Sequence, residues 1–143
     1  MNNDYSAETK DVHVPACMLK EWLRGLNDSL IPSTYYEICV SMAKEKQKLD
    51  HKTLDCDKML RGVNGQKKKK LEENRESIRY LVSFLKKMLQ PEHVELTKMN
   101  LENLSIVFAP TILKCPSDDP TVLIQNNKFE KDFILQMITN LNV

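Results

Sequence analysis

Along this chain the apolar side chains recur at intervals of three and four, the period of a helix lying half in a core. Leu19, Trp22, Leu23 and Leu26 make the first such stripe. Trp22 sits on its apolar side and is expected in the core. Pro15 suits the first turn of that helix, where its missing N–H is not needed, and Gly25 can leave the helix at its end without a Cβ penalty. After Pro32, Thr34-Tyr-Tyr-Glu37 has the form of a capping box. The helix it opens carries Tyr35, Ile38, Cys39 and Met42 on one stripe and fades into a charged stretch ending at Lys48. The longest clear period spans 72–90, where Ile78, Leu81, Val82, Leu85, Met88 and Leu89 align. Pro91 is expected to end it, leaving Val94 and Leu96 in a connection. Asn100 is a good N-cap for a helix over 101–108. The dense run Ile106, Val107, Phe108 predicts that this helix is buried centrally, and Pro110 follows it. A loop over 114–120 with two prolines precedes a last helix, capped by Asn126 or Asn127. That helix carries Phe129, Phe133, Ile134, Met137, Ile138 and Leu141.

Two stretches lack this period. Residues 1–10 are polar and expected to fray. Residues 49–70 are irregular, and the four lysines 67–70 behind Gly62 and Gly65 fit a solvated loop better than a partner-binding patch. Only 3 glycines and a scarcity of alternating apolar runs point to an all-α fold, a bundle of about five helices.

Composition narrows the classes rather than choosing among them. A chain of 143 residues suits one domain with its own core. The 41% hydrophobic and 29% charged residues fit a soluble globular protein. A net charge of +1 gives no global field to attract nucleic acid or a membrane surface. No apolar run reaches the length of a membrane span, and the start has no signal-peptide pattern; a reducing, cytoplasmic location is expected. Cys17, Cys39, Cys56 and Cys115 are scattered, so neither a metal site nor a disulfide framework is expected. His13, His51 and His93 stand singly, and no Ser/His/Asp or Cys/His arrangement suggests hydrolytic chemistry. No cofactor is implied.

Lys20 and Arg24 lie at i and i+4, on one face of the first helix. Two like charges so placed repel by a few tenths of a kcal/mol. From spacing alone a solvated basic face explains them better than an anionic partner lying opposite both.

Three blocks carry a more specific signal. Leu19-Lys-Glu-Trp-Leu-Arg-Gly-Leu26, followed by Leu30-Ile-Pro32, resembles the LLKxWLRELxxPLIP pattern of RhoGAP domains. Leu71-Glu-Glu-Asn-Arg75 with Tyr80-Leu-Val-Ser-Phe-Leu85 resembles that family's LPxxNRxxLxYLxxFL, with Glu72 in place of its proline. The stretch from Thr97 to Leu113 resembles TKMxxxNLAxVFAPxLL. The tail Cys115-Pro-Ser-Asp-Asp-Pro120, with Asn126 and Glu130, is similar to the Vilse-type branch of the family. The resemblance covers residues 11–141 and places a RhoGAP-like domain over 11–143, with the lysine-rich stretch as an insertion.

The resemblance implies a regulator rather than an enzyme. Its partner would be a GTP-bound Rho-family small GTPase, whose hydrolysis such domains accelerate in signalling to the cytoskeleton. It also implies a set of site residues. Lys20 matches the helix lysine of the GTPase-facing groove. Arg24 matches the arginine that holds the finger loop. Asn103 matches the asparagine that bonds near the finger and the switch region. Lys98 and Pro110 fall at interface or support positions. Taken alone, Asn103 reads better as a local cap or a buried amide than as a site residue. The family's finger arginine has no match, because none of the 13 residues before Val14 is arginine. The expected fold is therefore a RhoGAP-like bundle without the N-terminal helical segment that bears the finger. Loss of that segment predicts exposed apolar surface. A finger-less module that binds a GTPase or scaffold partner without accelerating hydrolysis is the alternative. A helical adaptor using lysines 67–70 is a third.

Overall fold

The computed structural model describes residues 13–48 and 66–143, with side chains over 17–45 and 74–143. Among them lie six α-helices: α1 (His13–Arg24), α2 (Tyr36–Lys48), α3 (Gln66–Met88), α4 (Pro91–Thr97), α5 (Leu101–Ile112) and α6 (Pro120–Asn140). A 3-10 turn, Ser33–Tyr35, leads into α2. No described residue is in a strand, so the all-α expectation holds. The polar start and residues 49–65 of the expected insertion lie outside the described residues. Residues 66–70 form the opening turn of α3, so the lysine run is helical here rather than loop. Lysine is a good helix former.

α6 is the central pillar. It packs on α5, α2 and α3, while α1 lies against α5. Its inward face is Phe133, Ile134, Met137, Ile138 and then Leu141, the stripe expected from the sequence. α3 likewise buries Ile78, Leu81, Val82 and Leu85. Lys86 Nζ donates to the Leu141 carbonyl at 2.7 Å, tying the end of α3 to the end of α6. On α2 the buried face is Tyr36, Cys39, Val40 and Ala43, and Ile38 points outward. The inferred stripe was thus shifted, because Thr34 stands in the 3-10 turn and caps nothing. The turn follows Pro32, which offers no side-chain cap, and the Tyr35 N–H donates to the Pro32 carbonyl.

Several helix boundaries differ from the sequence expectation. The last helix starts at Pro120, not near Asn126. Asp119 Oδ1 accepts from the Thr121 N–H at 2.8 Å, and Pro120 supplies a preset φ at the first helical position. α5 runs through Pro110 to Ile112, where an end at Phe108 was expected. Proline removes one backbone bond there, and burial of Ala109, Thr111 and Ile112 compensates. The helix closes with the Leu113 N–H on the Ala109 carbonyl at 2.9 Å. Val94 and Leu96 lie in α4, a short helix with no buried residue.

The turn after α1 is fastened at both ends. Asp28 Oδ1 accepts from the N–H groups of Ser29 and Ser33, each at 3.0 Å. The Ile31 N–H donates to the Ile112 carbonyl at 3.0 Å, and Asn74 Nδ2 to the Leu30 carbonyl at 2.9 Å. Leu30 and Ile31 are thereby held in the core.

Candidate functional site

The candidate residues sit on two neighbouring helices and the turn that precedes one of them. α1 carries Lys20 and Arg24. α5 carries Asn103 and Pro110. Lys98 lies in the turn before α5. Contact between α1 and α5 brings the first and third sequence blocks side by side.

Lys20 is half-buried on α1. Arg24, exposed at the last turn, pairs with Glu21 at 3.1 Å. That pair closes on α1 itself, so among its own neighbours Arg24 answers to an acidic residue one turn back. Both side chains are more than half exposed, and such a pair adds little to stability. The α1 end is set by Gly25: its N–H donates to the Glu21 carbonyl at 2.9 Å, and a Cβ there would stand 3.3 Å from that same oxygen.

The turn from α4 to α5 is specified bond by bond. Lys98 has φ of 57°, left-handed for a residue with a side chain, and is alone in this among the described non-glycine residues. Such a conformation costs on the order of 1 kcal/mol. Three contacts hold it. The Lys98 N–H donates to the Val94 carbonyl at 2.8 Å. Thr97 Oγ1 accepts from the Met99 N–H at 3.2 Å. Asn103 Nδ2 donates to the Lys98 carbonyl at 3.1 Å. Asn100 caps α5 as expected, its Oδ1 accepting from the Asn103 N–H at 2.9 Å. Asn103 is therefore neither a buried amide nor the cap. It is an exposed side chain that fixes the carbonyl of a strained lysine.

Asn103, Ile106 and Pro110 follow at i, i+3 and i+7 on α5, and all three are exposed. Ile106 was expected in the core; at 52% exposure it stands on the outer face. α5 buries Leu104, Ser105, Phe108, Ala109, Thr111 and Ile112, so the dense apolar run conceals a two-faced helix. The i, i+3, i+7 spacing from Asn103 was the signal that could have found it. Trp22 is the second correction. It is 60% exposed, because the side of α1 that bears it overlooks an open groove against α3.

No group of three or more metal-ligating side chains occurs among the described residues. Cys17, Cys39 and Cys115 form no disulfide. No described helix is long and apolar enough to cross a membrane. Glu130 on α6, the one buried carboxyl among the described residues, accepts from the Tyr36 hydroxyl of α2. Burial pushes its pKa above the ordinary carboxyl range, and the Tyr36 bond opposes that. Burial, with the Cys115 thiol and Glu130 beside it, raises the Tyr36 hydroxyl as well. This pair joins α2 to α6.

The family model for the RhoGAP domain matches residues 1–117 of the chain. "GTPase activating protein homolog 3" of Dictyostelium discoideum is 30% identical over 132 residues, 92% of this chain and 9% of that protein. "Rho GTPase-activating protein 22" of Mus musculus is 28% identical over 131 residues, 91% of this chain and 17% of its own length. N-chimaerin of Mus musculus is 26% identical over 134 residues, 94% of this chain and 27% of its own. The chain thus spans a small part of each of these relatives.

Proposed function

The chain belongs to the RhoGAP domain family, and from that premise we propose that it binds Rho-family small GTPases in their GTP-bound form and promotes hydrolysis of the bound GTP. The chain is a regulator in this reading, and the GTPase does the chemistry. The observation that carries it is the packing of α1 against α5, which sets the helix of Lys20 and Arg24 beside the helix of Asn103, Ile106 and Pro110. GTPases turn over slowly because charge on the transferring phosphoryl group is poorly stabilised. An arginine supplied in trans contributes roughly 10³–10⁵ in rate. Lys20 and Lys98 would bring positive charge to the acidic partner, Asn103 a rigid polar contact, and Ile106 with Pro110 an apolar one. The tail 115–120, with Asn126 and Glu130, supports the Vilse-type branch, and a cytoplasmic setting accords with such a partner.

The second reading is binding without acceleration. The engagement of Arg24 by Glu21 favours it.

One experiment separates the readings: single-turnover hydrolysis by a panel of Rho- and Rac-like GTPases, with and without the chain, beside a binding measurement. Acceleration supports the first reading and binding alone the second. Absence of binding to every member refutes both. The double change Lys20→Ala, Asn103→Ala is expected to weaken binding roughly tenfold or more. If affinity is untouched while the fold persists, the site lies elsewhere.

A further inference from the structure

α4 ends on a residue that its own backbone disfavours. Lys98 closes the helix with φ of 57° and ψ of 16°, a left-handed conformation that helix ends usually give to glycine. Glycine turns the chain there without strain, because it has no Cβ. The turn from α4 into α5 thus asks for a glycine, and a lysine stands in it. Strain of this kind persists only where the surroundings enforce it, and it gathers at functional sites.

Here the surroundings do enforce it. Asn103 Nδ2 reaches back to the Lys98 carbonyl, and Thr97 Oγ1 accepts from the Met99 N–H. That carbonyl and that N–H are the two ends of one peptide unit. With both held, ψ of Lys98 is fixed, and so is the direction in which its side chain leaves the backbone. Met99 packs against the core just beyond and anchors the turn. The lysine side chain is exposed, and its ammonium forms no ion pair with a described residue. Glu102, in the first turn of α5, is paired with Lys131 at 3.1 Å instead. Glycine could supply everything this turn needs except that side chain and its unpaired charge.

We propose that Lys98 is kept in the left-handed turn as a cation aimed in advance at an acidic group of the bound GTPase, and that Asn103 is its positioning residue, acting through the Lys98 carbonyl. Backbone that is ordered before contact leaves less to be ordered on binding. The inference rests on the GTPase reading and goes beyond it: it assigns to one strained residue a contact bought at the expense of the fold.

That opposition between fold and contact is what an experiment can read. Urea unfolding and binding to GTP-loaded Rho- and Rac-like GTPases, at several salt concentrations, would be measured for the wild type, Lys98→Gly, Asn103→Ala and the double variant. Lys98→Gly should raise the urea midpoint and yet weaken binding roughly fivefold, with a shallower salt dependence. Asn103→Ala should weaken binding and flatten the salt dependence in the wild-type background, and add little once Lys98 is glycine. A lower urea midpoint for Lys98→Gly overturns the proposal, since the lysine would then be no strain on the fold. A higher midpoint with affinity and salt dependence unchanged also overturns it, and leaves the GTPase reading standing. Losses that multiply in the double variant overturn the positioning role of Asn103. A wild-type chain that binds no GTPase overturns the GTPase reading, and this proposal with it.

Discussion

Tyr35 and Tyr36 are adjacent and both buried, yet their hydroxyls meet different fates. The Tyr36 hydroxyl donates to Glu130. The Tyr35 hydroxyl is buried with no hydrogen-bond partner, and burial raises its pKa. An unsatisfied buried hydroxyl costs about 1–3 kcal/mol. Tyr35→Phe removes that group and keeps the ring, so it should raise stability by about 1 kcal/mol in urea unfolding; a loss instead would show that the hydroxyl is satisfied. Glu130 gives a pH dependence. Its folded pKa is raised, so the folded state holds the proton more readily than the unfolded chain. The stability this adds is present below the ordinary carboxyl range and lost as pH rises through the raised folded value. Glu130→Gln keeps an acceptor for Tyr36 without the charge. It should flatten the decline in stability as pH rises above the ordinary carboxyl range. An unchanged pH profile would mean that other groups set it. At this scale the sequence was legible for Asn100, whose capping role needs only local geometry. It was misleading for Trp22 and Ile106, because a helical period says that a residue is apolar and not whether another element covers it.

Elements were legible where the period was long and the breakers local. The stripes of α3 and α6 hold for Ile78, Leu81, Val82 and Leu85 and for Phe133, Ile134, Met137, Ile138 and Leu141, which neighbours cover, while Met88, Leu89 and Phe129 are only partly buried. Boundaries failed where tertiary contacts outweighed local signals. Pro110 reads locally as an end to α5, but the residues after it are buried and carry the helix on. Asn126 and Asn127 are good caps by chemistry and stand inside α6, because Asp119-Pro120 starts the helix earlier. Asp119→Ala should therefore cost about 1 kcal/mol in thermal or urea unfolding, and Asn126→Ala distinctly less. The reverse order would place the start of α6 where the sequence first suggested it. Nothing in the sequence signalled that Asn74 would reach the Leu30 carbonyl, since that bond joins segments far apart in the chain. The candidate surface was legible only as separated blocks. That α1 and α5 touch follows from packing, not spacing.

For the whole molecule, the GTPase contact should be sensitive to salt if Lys20 and Lys98 carry it, since exposed charges are screened within about 10 Å at 0.1 M ionic strength. Binding that is indifferent to salt would shift the weight to Ile106 and Pro110. The all-α architecture could be foreseen because helices declare themselves locally, whereas the order in which they pack could not. That order bears on how the chain comes to be folded. α6 supports α2, α3 and α5, yet it is the last of the six to be synthesised. A nascent chain that has emerged only as far as Ile112 holds Tyr36, Val82 and Phe108 with no surface to close on. Its helices can form one by one on the ribosome, but the core cannot assemble until Phe133 to Leu141 are clear of the exit tunnel. The five helices made before α6 are therefore expected to stay sticky and half-formed until it arrives, and then to fold together in a single step.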